Sequence, residues 1–164
     1  MTTSNDIQVG RKLLRILVPI NANEDSRWGI QYALRRQRQG AQVEVILLNV
    51  GEPITQWEVL RFRTEREIAQ FQADSAQAFI DEATGLLAAT NIPCRGFFRQ
   101  GELVFSILDT AEEADCDEIA MPLPNMGLSS IFSRDIVAAV GRQQRDVPVV
   151  AINCDGIAEG VDVN

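Results

Sequence analysis

The sequence contains no histidine. That removes the commonest general base and the commonest zinc ligand. It also excludes Ser-His-Asp and Cys-His catalysis within one chain. Cysteine is scarce: Cys94, Cys116 and Cys154 stand far apart, with no CxxC pair. An odd count at such spacing is neither a zinc pattern nor a disulfide framework. The three read as buried or half-buried thiols in a reducing compartment. Positive charge is also in deficit, with 15 Lys and Arg against 23 Asp and Glu and a formal net charge of −8. A surface of that sign disfavours nucleic acid and anionic membrane as partners. The local basic run Arg35, Arg36 and Arg38 has helical spacing and reads as a solvated face. No apolar run approaches the roughly 20 residues needed to cross a bilayer. The early run LLRILVPI is interrupted by Arg15 and lacks the layout of a signal peptide. A soluble, cytoplasmic protein is the expectation.

What is present suits one ordinary folded domain. The chain has 164 residues and 46% hydrophobic content, enough for a single core and too apolar for disorder. Residues 13 to 20 form an apolar run before the polar cluster NANEDS, the pattern of a buried strand ending in a loop. Ser26 is placed to cap the helical segment that follows, and Gly40 to stop it. Residues 42 to 50, QVEVILLNV, read as a second strand. Residues 57 to 90 hold no proline and carry Ile68, Phe71, Ala76, Phe79, Ile80, Ala83, Leu86 and Leu87 as one apolar stripe, so helix, either continuous or broken once. PCRGFFRQ, 93 to 100, reads as a short strand in which at least one of Phe97 and Phe98 is core. An amphipathic helix over 102 to 115, a strand opening EIAMPLP, a helix over 135 to 145 and a last strand in VPVVAIN, 147 to 153, complete the series. The order β-α-β-α-β-α-β-α-β predicts an α/β fold: an open, five-stranded parallel sheet with helices on both faces and right-handed crossovers. Residues 1–12 read as an N-terminal extension, 13–153 as the domain, and 154–164 as an acidic flexible tail.

In such a sheet ligands bind beyond the carboxyl ends of the strands, at a switch point. The loops 21 to 26, 51 to 56, 100 to 102 and 122 to 134 are therefore the candidates. The last contains MPLPNMGLSS. A phosphate loop there wants several glycines and free N–H groups, and this one offers Gly127 beside Pro122 and Pro124.

Three stretches carry a resemblance: ILVPINANEDS (16 to 26), GELVFSILDTAEEADCDEIAM (101 to 121), and GLSS (127 to 130) followed by a helix and DVPVVAI (146 to 152). Within the second, Gly101, Ile107, Ala111, Asp117 and Ile119 hold the matching positions. In order and spacing the chain resembles the universal stress protein family, over essentially residues 13 to 153. The resemblance implies a Rossmann-like nucleotide cleft and a homodimer paired through the last strand, here Val147, Val149 and Ala151. An edge strand of that kind must be covered or paired, and Pro148 suits an edge. Cover by the tail is the alternative.

Family members that bind ATP carry a glycine, two residues, a second glycine, nine residues, then glycine with Ser or Thr. Here proline stands at the first glycine, and Val137-Ala138 stands ten residues beyond Gly127. Proline has no N–H and fixes φ. Ser129, Ser130, Ser133 and Arg134 are the candidate substitutes, Arg134 as an anion fork. The alternative is a turn and helix start capped by Ser129 or Ser130. Asn21, where the family often has Asp, and the backbone near Val50 imply a surviving adenine end. Glu24 and Asp25 read either as Mg²⁺ ligands or as helix-dipole partners. Asp115, Asp117 and Glu118 read as solvated, and Arg99 and Gln100 as residues at the cleft edge.

Three functions follow in order of expectation. The first is a non-catalytic stress-response module with weak or no ATP binding and a possible protein partner. The second is a binder of ATP or AMP, or at most a slow ATPase, with Mg²⁺ and a non-standard loop. The third is an ATP-using activating enzyme. It stands last because NANEDS replaces the glycine- and serine-rich loop such enzymes carry after their first strand.

Overall fold

The computed structural model describes residues 12–53, 60–123, 134–144 and 146–159. Its strands are β1 (Leu13–Pro19), β2 (Gln42–Gly51), β3 (Cys94–Gln100), β4 (Glu118–Pro122), β5 (Val149–Ile152) and β6 (Ala158–Glu159). Its helices are α1 (Trp28–Arg38), preceded by a 3-10 turn at Glu24–Arg27, α2 (Glu65–Ala88), α3 (Leu103–Glu113) and α4 (Arg134–Gln143). The strands form one sheet in the order β3-β2-β1-β4-β5-β6. The first five are parallel and β6 is antiparallel to β5. The expected parallel sheet is present with one strand more than expected. Residues 154–159, expected to be a free tail, turn back and pair instead. Residues 1–11 and 160–164 lie outside the described residues.

The chain steps from β1 outward to β2 and β3, then returns past β1 to β4 and β5. Right-handed crossovers in opposite directions put α1 and α2 on one face and α3 and α4 on the other. The alternation of the strands serves both faces. Ile16, Val18, Val45 and Leu47 pack with Ile30, Ala33, Ile80, Ala83 and Leu87 of α1 and α2. Leu17, Ile46, Leu48, Ile119 and Met121 pack with Ile107, Ala111, Val137 and Val140 of α3 and α4. Val147, expected on the pairing edge, is buried in that second core ahead of β5.

Helix ends follow their local chemistry. Gly40, at φ 97°, ends α1. Its N–H donates to Gln37 O at 2.9 Å, and Ala41 N–H to Arg36 O at 3.1 Å, the paired bonds of a Schellman stop. Thr64 and Glu67 form a reciprocal capping box that starts α2. Phe71 is 73% exposed and Leu86 49%, so neither belongs to the apolar stripe. Phe71 lies nine residues before Ile80, two and a half turns, and so faces the other way. At β3 the helix comes very close: a Cβ on Gly96 would fall 2.3 Å from Ile80 Cγ2.

The amino ends of four strands meet in a charged clamp. Glu44 of β2 accepts from Arg15 Nε of β1 at 2.8 Å and Arg95 Nε of β3 at 3.0 Å. Arg15 N–H donates to Asp117 Oδ2 at 2.8 Å, and Asp117 N–H returns a bond to Arg15 O at 2.7 Å. Tyr32 O–H donates to Glu118 at 2.6 Å. Asp117 and Glu118, expected to be solvated, are thus half-buried partners. Burial alone would raise the Glu44 pKa, but the bonds and charges of Arg15 and Arg95 together hold it below the ordinary value. Asp117 is held low in the same way, burial being outweighed by the Arg15 amide and Lys12. Burial pushes the neighbouring Cys116 thiol up to about 12, against the opposing pull of Arg15. Cys94 is half-buried, whereas Cys154 is exposed, unlike the expectation for all three.

Two measurements test this packing. Gly96→Ala should lower the unfolding free energy by about 1–3 kcal/mol through overpacking, and most of that loss should vanish in an Ile80→Ala background, as read by urea denaturation. An undiminished cost in that background would refute the close contact. The depressed carboxylates give stability that is present above their unfolded pKa, about pH 4, and is lost as pH falls through the folded values. The urea midpoint should therefore drop between about pH 5 and pH 3. Glu44→Gln should flatten that slope, and an unchanged slope would show that the clamp contributes nothing.

Candidate functional site

β1 stops before β2 does. Pro19 pairs with Leu48, and β2 runs on through Asn49, Val50 and Gly51. Within a parallel ladder, alternate residues turn their backbone groups to alternate neighbours. Ile20 N–H donates to Leu48 O at 2.8 Å, and Arg15 O accepts from Asp117 on the other side. Even residues of β1 therefore serve β2 and odd residues serve β4. The missing N–H of Pro19 falls on the β4 side, where the two strands part. By the same alternation Val50 turns its N–H and C=O toward the notch above Ile20. This notch lies beside the switch point between β1 and β4.

The notch is a cavity of about 260 Å³. Asn21, Asn49, Val50, Phe71, Gln72 and Leu103 are among its walls. Asn21 and Val50, both expected here, are thus brought together. Asn21 Oδ1 accepts from Asn23 N–H at 2.8 Å, closing an Asx turn. Ser26 does not cap α1. It is 1% exposed, accepts from Asn21 N–H at 3.2 Å and donates to Asn23 O at 2.7 Å, while Arg27 stands at the N-cap without a side-chain capping bond. Asn21 Nδ2 is buried and has no hydrogen-bond partner among the described residues. A buried donor of this kind costs about 1–3 kcal/mol until something accepts from it.

Two wall residues escaped the sequence reading. Asn49, 8% exposed, donates from Nδ2 to Ile20 O at 2.8 Å and so fixes the end of β1. The signal for it was a lone amide inside the run ILLNV. Gln72 bonds Glu52 O at 3.0 Å and accepts from Gln100 Nε2 at 3.3 Å, closing the cavity on the α2 side. Gln100 is at the cleft edge as expected. Arg99 is not free to reach a ligand, because it pairs with Asp109 and Glu113 of α3.

The start of α3 borders the cavity through Leu103. Its first amides are occupied by the chain itself: Glu102 accepts from Val104 N–H at 3.0 Å and Phe105 N–H at 2.6 Å. Glu24 and Asp25 open the 3-10 turn after Asn23. Among the described residues no group of three or more Cys, Asp or Glu is placed to hold a metal ion. Gly127, Ser129, Ser130 and Ser133 lie outside the described residues. Arg134 opens α4.

An open α/β sheet with a notch beside its switch point is an architecture in which ligands bind beyond the carboxyl ends of the strands. Residues 13–145 match the Universal stress protein family, and the chain belongs to that family. Solved structures agree in fold. The universal stress protein UspA from Lactobacillus plantarum superimposes with a TM-score of 0.65 at 15% identity, over 85% of this chain and 97% of that one. A universal stress protein in complex with cAMP gives 0.59 at 16%, over 85% and 96%. A family protein from Arabidopsis thaliana with AMP bound gives 0.59 at 12%, over 85% and 91%. No curated protein matches the sequence. No helix among the described residues is long and apolar enough to cross a membrane.

Asn49→Ala should cost about 1–3 kcal/mol by leaving Ile20 O buried without a donor. Faster hydrogen exchange at the Ile20 amide should accompany the loss, and a change below about 0.5 kcal/mol would show that the bond does not hold the strand end.

Proposed function

We propose that this universal stress protein is a non-catalytic regulatory module whose cleft takes the adenosine end of an adenine nucleotide and holds the phosphates poorly. The observation that carries this reading is Asn21: a buried amide donor without a partner, on the wall of a cavity that also receives the backbone of Val50. An amide N–H suits an acceptor nitrogen of the base or a ribose hydroxyl. A backbone N–H and C=O pair suits the donor and acceptor edge of adenine. Two solved relatives, one with AMP and one with cAMP, support an adenine ligand in this fold.

The phosphate side argues the other way. Proline stands where an ATP-binding relative needs the first glycine, Pro124 counted back from Gly127 or Pro122 counted from the strand, and the nearest helix amides already bond Glu102. Losing charge-assisted bonds of about 1.5–3 kcal/mol each removes orders of magnitude from triphosphate affinity. Without histidine, the chain also lacks the usual base for activating an attacking water. A cytoplasmic role in stress response, through another protein that reads the occupied cleft, fits such a module.

Thermal unfolding with AMP, and with ATP plus Mg²⁺, separates the two halves of the proposal. Both nucleotides should raise Tm similarly at millimolar concentration, and Asn21→Ala should abolish both shifts. No shift with AMP would overturn the adenosine site. ATP binding more than about tenfold tighter than AMP would overturn the poor phosphate grip and favour a working cradle at Ser129, Ser130, Ser133 and Arg134.

A further inference from the structure

A second cavity adjoins the notch. It holds about 560 Å³, more than twice the 260 Å³ of the notch, and shares Gly51 and Gln72 with it. Small-molecule sites run from roughly 300 to 1,000 Å³, so the notch alone falls short of that range and this cavity lies within it. It sits between the carboxyl ends of β2 and β3 and the first two turns of α2. Gln72 stands between the two spaces, bonded to Glu52 O at 3.0 Å and to Gln100 at 3.3 Å.

The walls of this cavity combine two chemistries. Pro53, Leu60, Ile68 and Ala69 supply apolar surface, and Leu60 is 38% exposed. Glu65 and Arg66 supply one charge of each sign. Consecutive residues of a helix diverge, so these two charges do not face each other. Neither meets an opposite charge at helical spacing within α2: Ile68 and Ala69 follow Glu65, and Ala69 and Gln70 follow Arg66. Among the described residues neither takes part in an ion pair. The neighbouring charges Arg99 and Glu102 are already engaged, one by Asp109 and Glu113 and the other by the α3 amides. Arg66 is the one cation on the walls of either cavity among the described residues.

The two charges select a class of ligand. A plain anion such as phosphate meets Glu65 as well as Arg66, in a chain of net charge −8. A plain cation meets the reverse. A ligand with one charge of each sign answers both, and a carboxylate takes a guanidinium in two parallel bonds. The apolar walls then accept an aliphatic stem. We propose that this cavity binds the zwitterionic head of an amino acid on an aliphatic stem, with the carboxylate on Arg66 and the ammonium on Glu65. The stem belongs either to a free amino acid or, past Gln72, to a nucleoside seated in the notch. The second source rests on the adenosine reading above.

Calorimetric titration of the full chain with L-methionine, methylthioadenosine and S-adenosylhomocysteine tests this. The third compound is the second extended by an amino-acid head. Either methionine should bind at millimolar concentration, or S-adenosylhomocysteine should bind at least about tenfold tighter than methylthioadenosine. Arg66→Ala should erase that binding or that difference, and Glu65→Gln should weaken it. Both residues are exposed, so the variants should unfold cooperatively near the wild-type urea midpoint. Where one fails to fold, the other carries the test. Methionine bound alone assigns the cavity to a free amino acid, whatever methylthioadenosine does. A difference between the two nucleosides without methionine binding assigns it to a nucleoside arm. No methionine binding together with equal affinity for both nucleosides would overturn the proposal and leave the adenosine site standing. Binding of none of the three would end both readings. A gain from the amino-acid head that survives Arg66→Ala would overturn the proposal as well.

Discussion

The register of β1 against β2 is the constraint on which the rest of this molecule depends. All seven residues of β1 are paired, Leu13 with Gln42 through Pro19 with Leu48. A slip by one residue would send Ile16 and Val18 to the face that now holds Leu17, and both cores would fail together. The same register leaves three residues of β2 standing beyond the end of β1. The notch is that overhang. The cleft is therefore a consequence of strand lengths in a fixed register, with no separate element devoted to forming it.

The two ends of the sheet divide the work. At the amino ends, Arg15, Glu44, Arg95 and Asp117 join four strands through charges that satisfy one another. At the carboxyl ends the cavity wall carries amides, the Glu52 carboxylate and the Ser75 hydroxyl, and one amide nitrogen, Asn21 Nδ2, has no partner among the described residues. A satisfied network specifies structure, whereas a buried donor without an acceptor carries a desolvation cost. The sheet thus carries its charged clamp at one end and its cavity at the other, the end where open α/β sheets generally bind ligands.

The alternation of strands and helices was legible because it rests on periodicity, which is local. Gly40 and Val50 were legible for the same reason, one as a helix stop and one by position on a strand. The roles of Ser26, Asn49 and Phe71 were not. Ser26 looks like a cap from its place in the chain, but its hydroxyl answers groups that only the folded turn brings near. Asn49 acts through Ile20, twenty-nine residues away in sequence. Phe71 matches the stripe in apolar character but not in angular position, and only the second decides which face it takes. The hairpin was hidden in a short acidic segment whose composition resembles a frayed end. Its structure comes from the side chain of Asn153, from Gly156 with its positive φ, and from an edge that lies elsewhere in the sequence.

Glu102 gives the cleft a property that follows from tethering. Its carboxylate already sits on the first amides of α3, held there by one peptide link to Leu103. A free anion arriving at those amides must compete with a resident one whose effective concentration is set by the chain and does not fall on dilution. The protein in effect carries its own competing ligand beside the cleft. For the proposed adenosine site, selection against highly charged ligands would then be a matter of occupancy as well as of missing glycines.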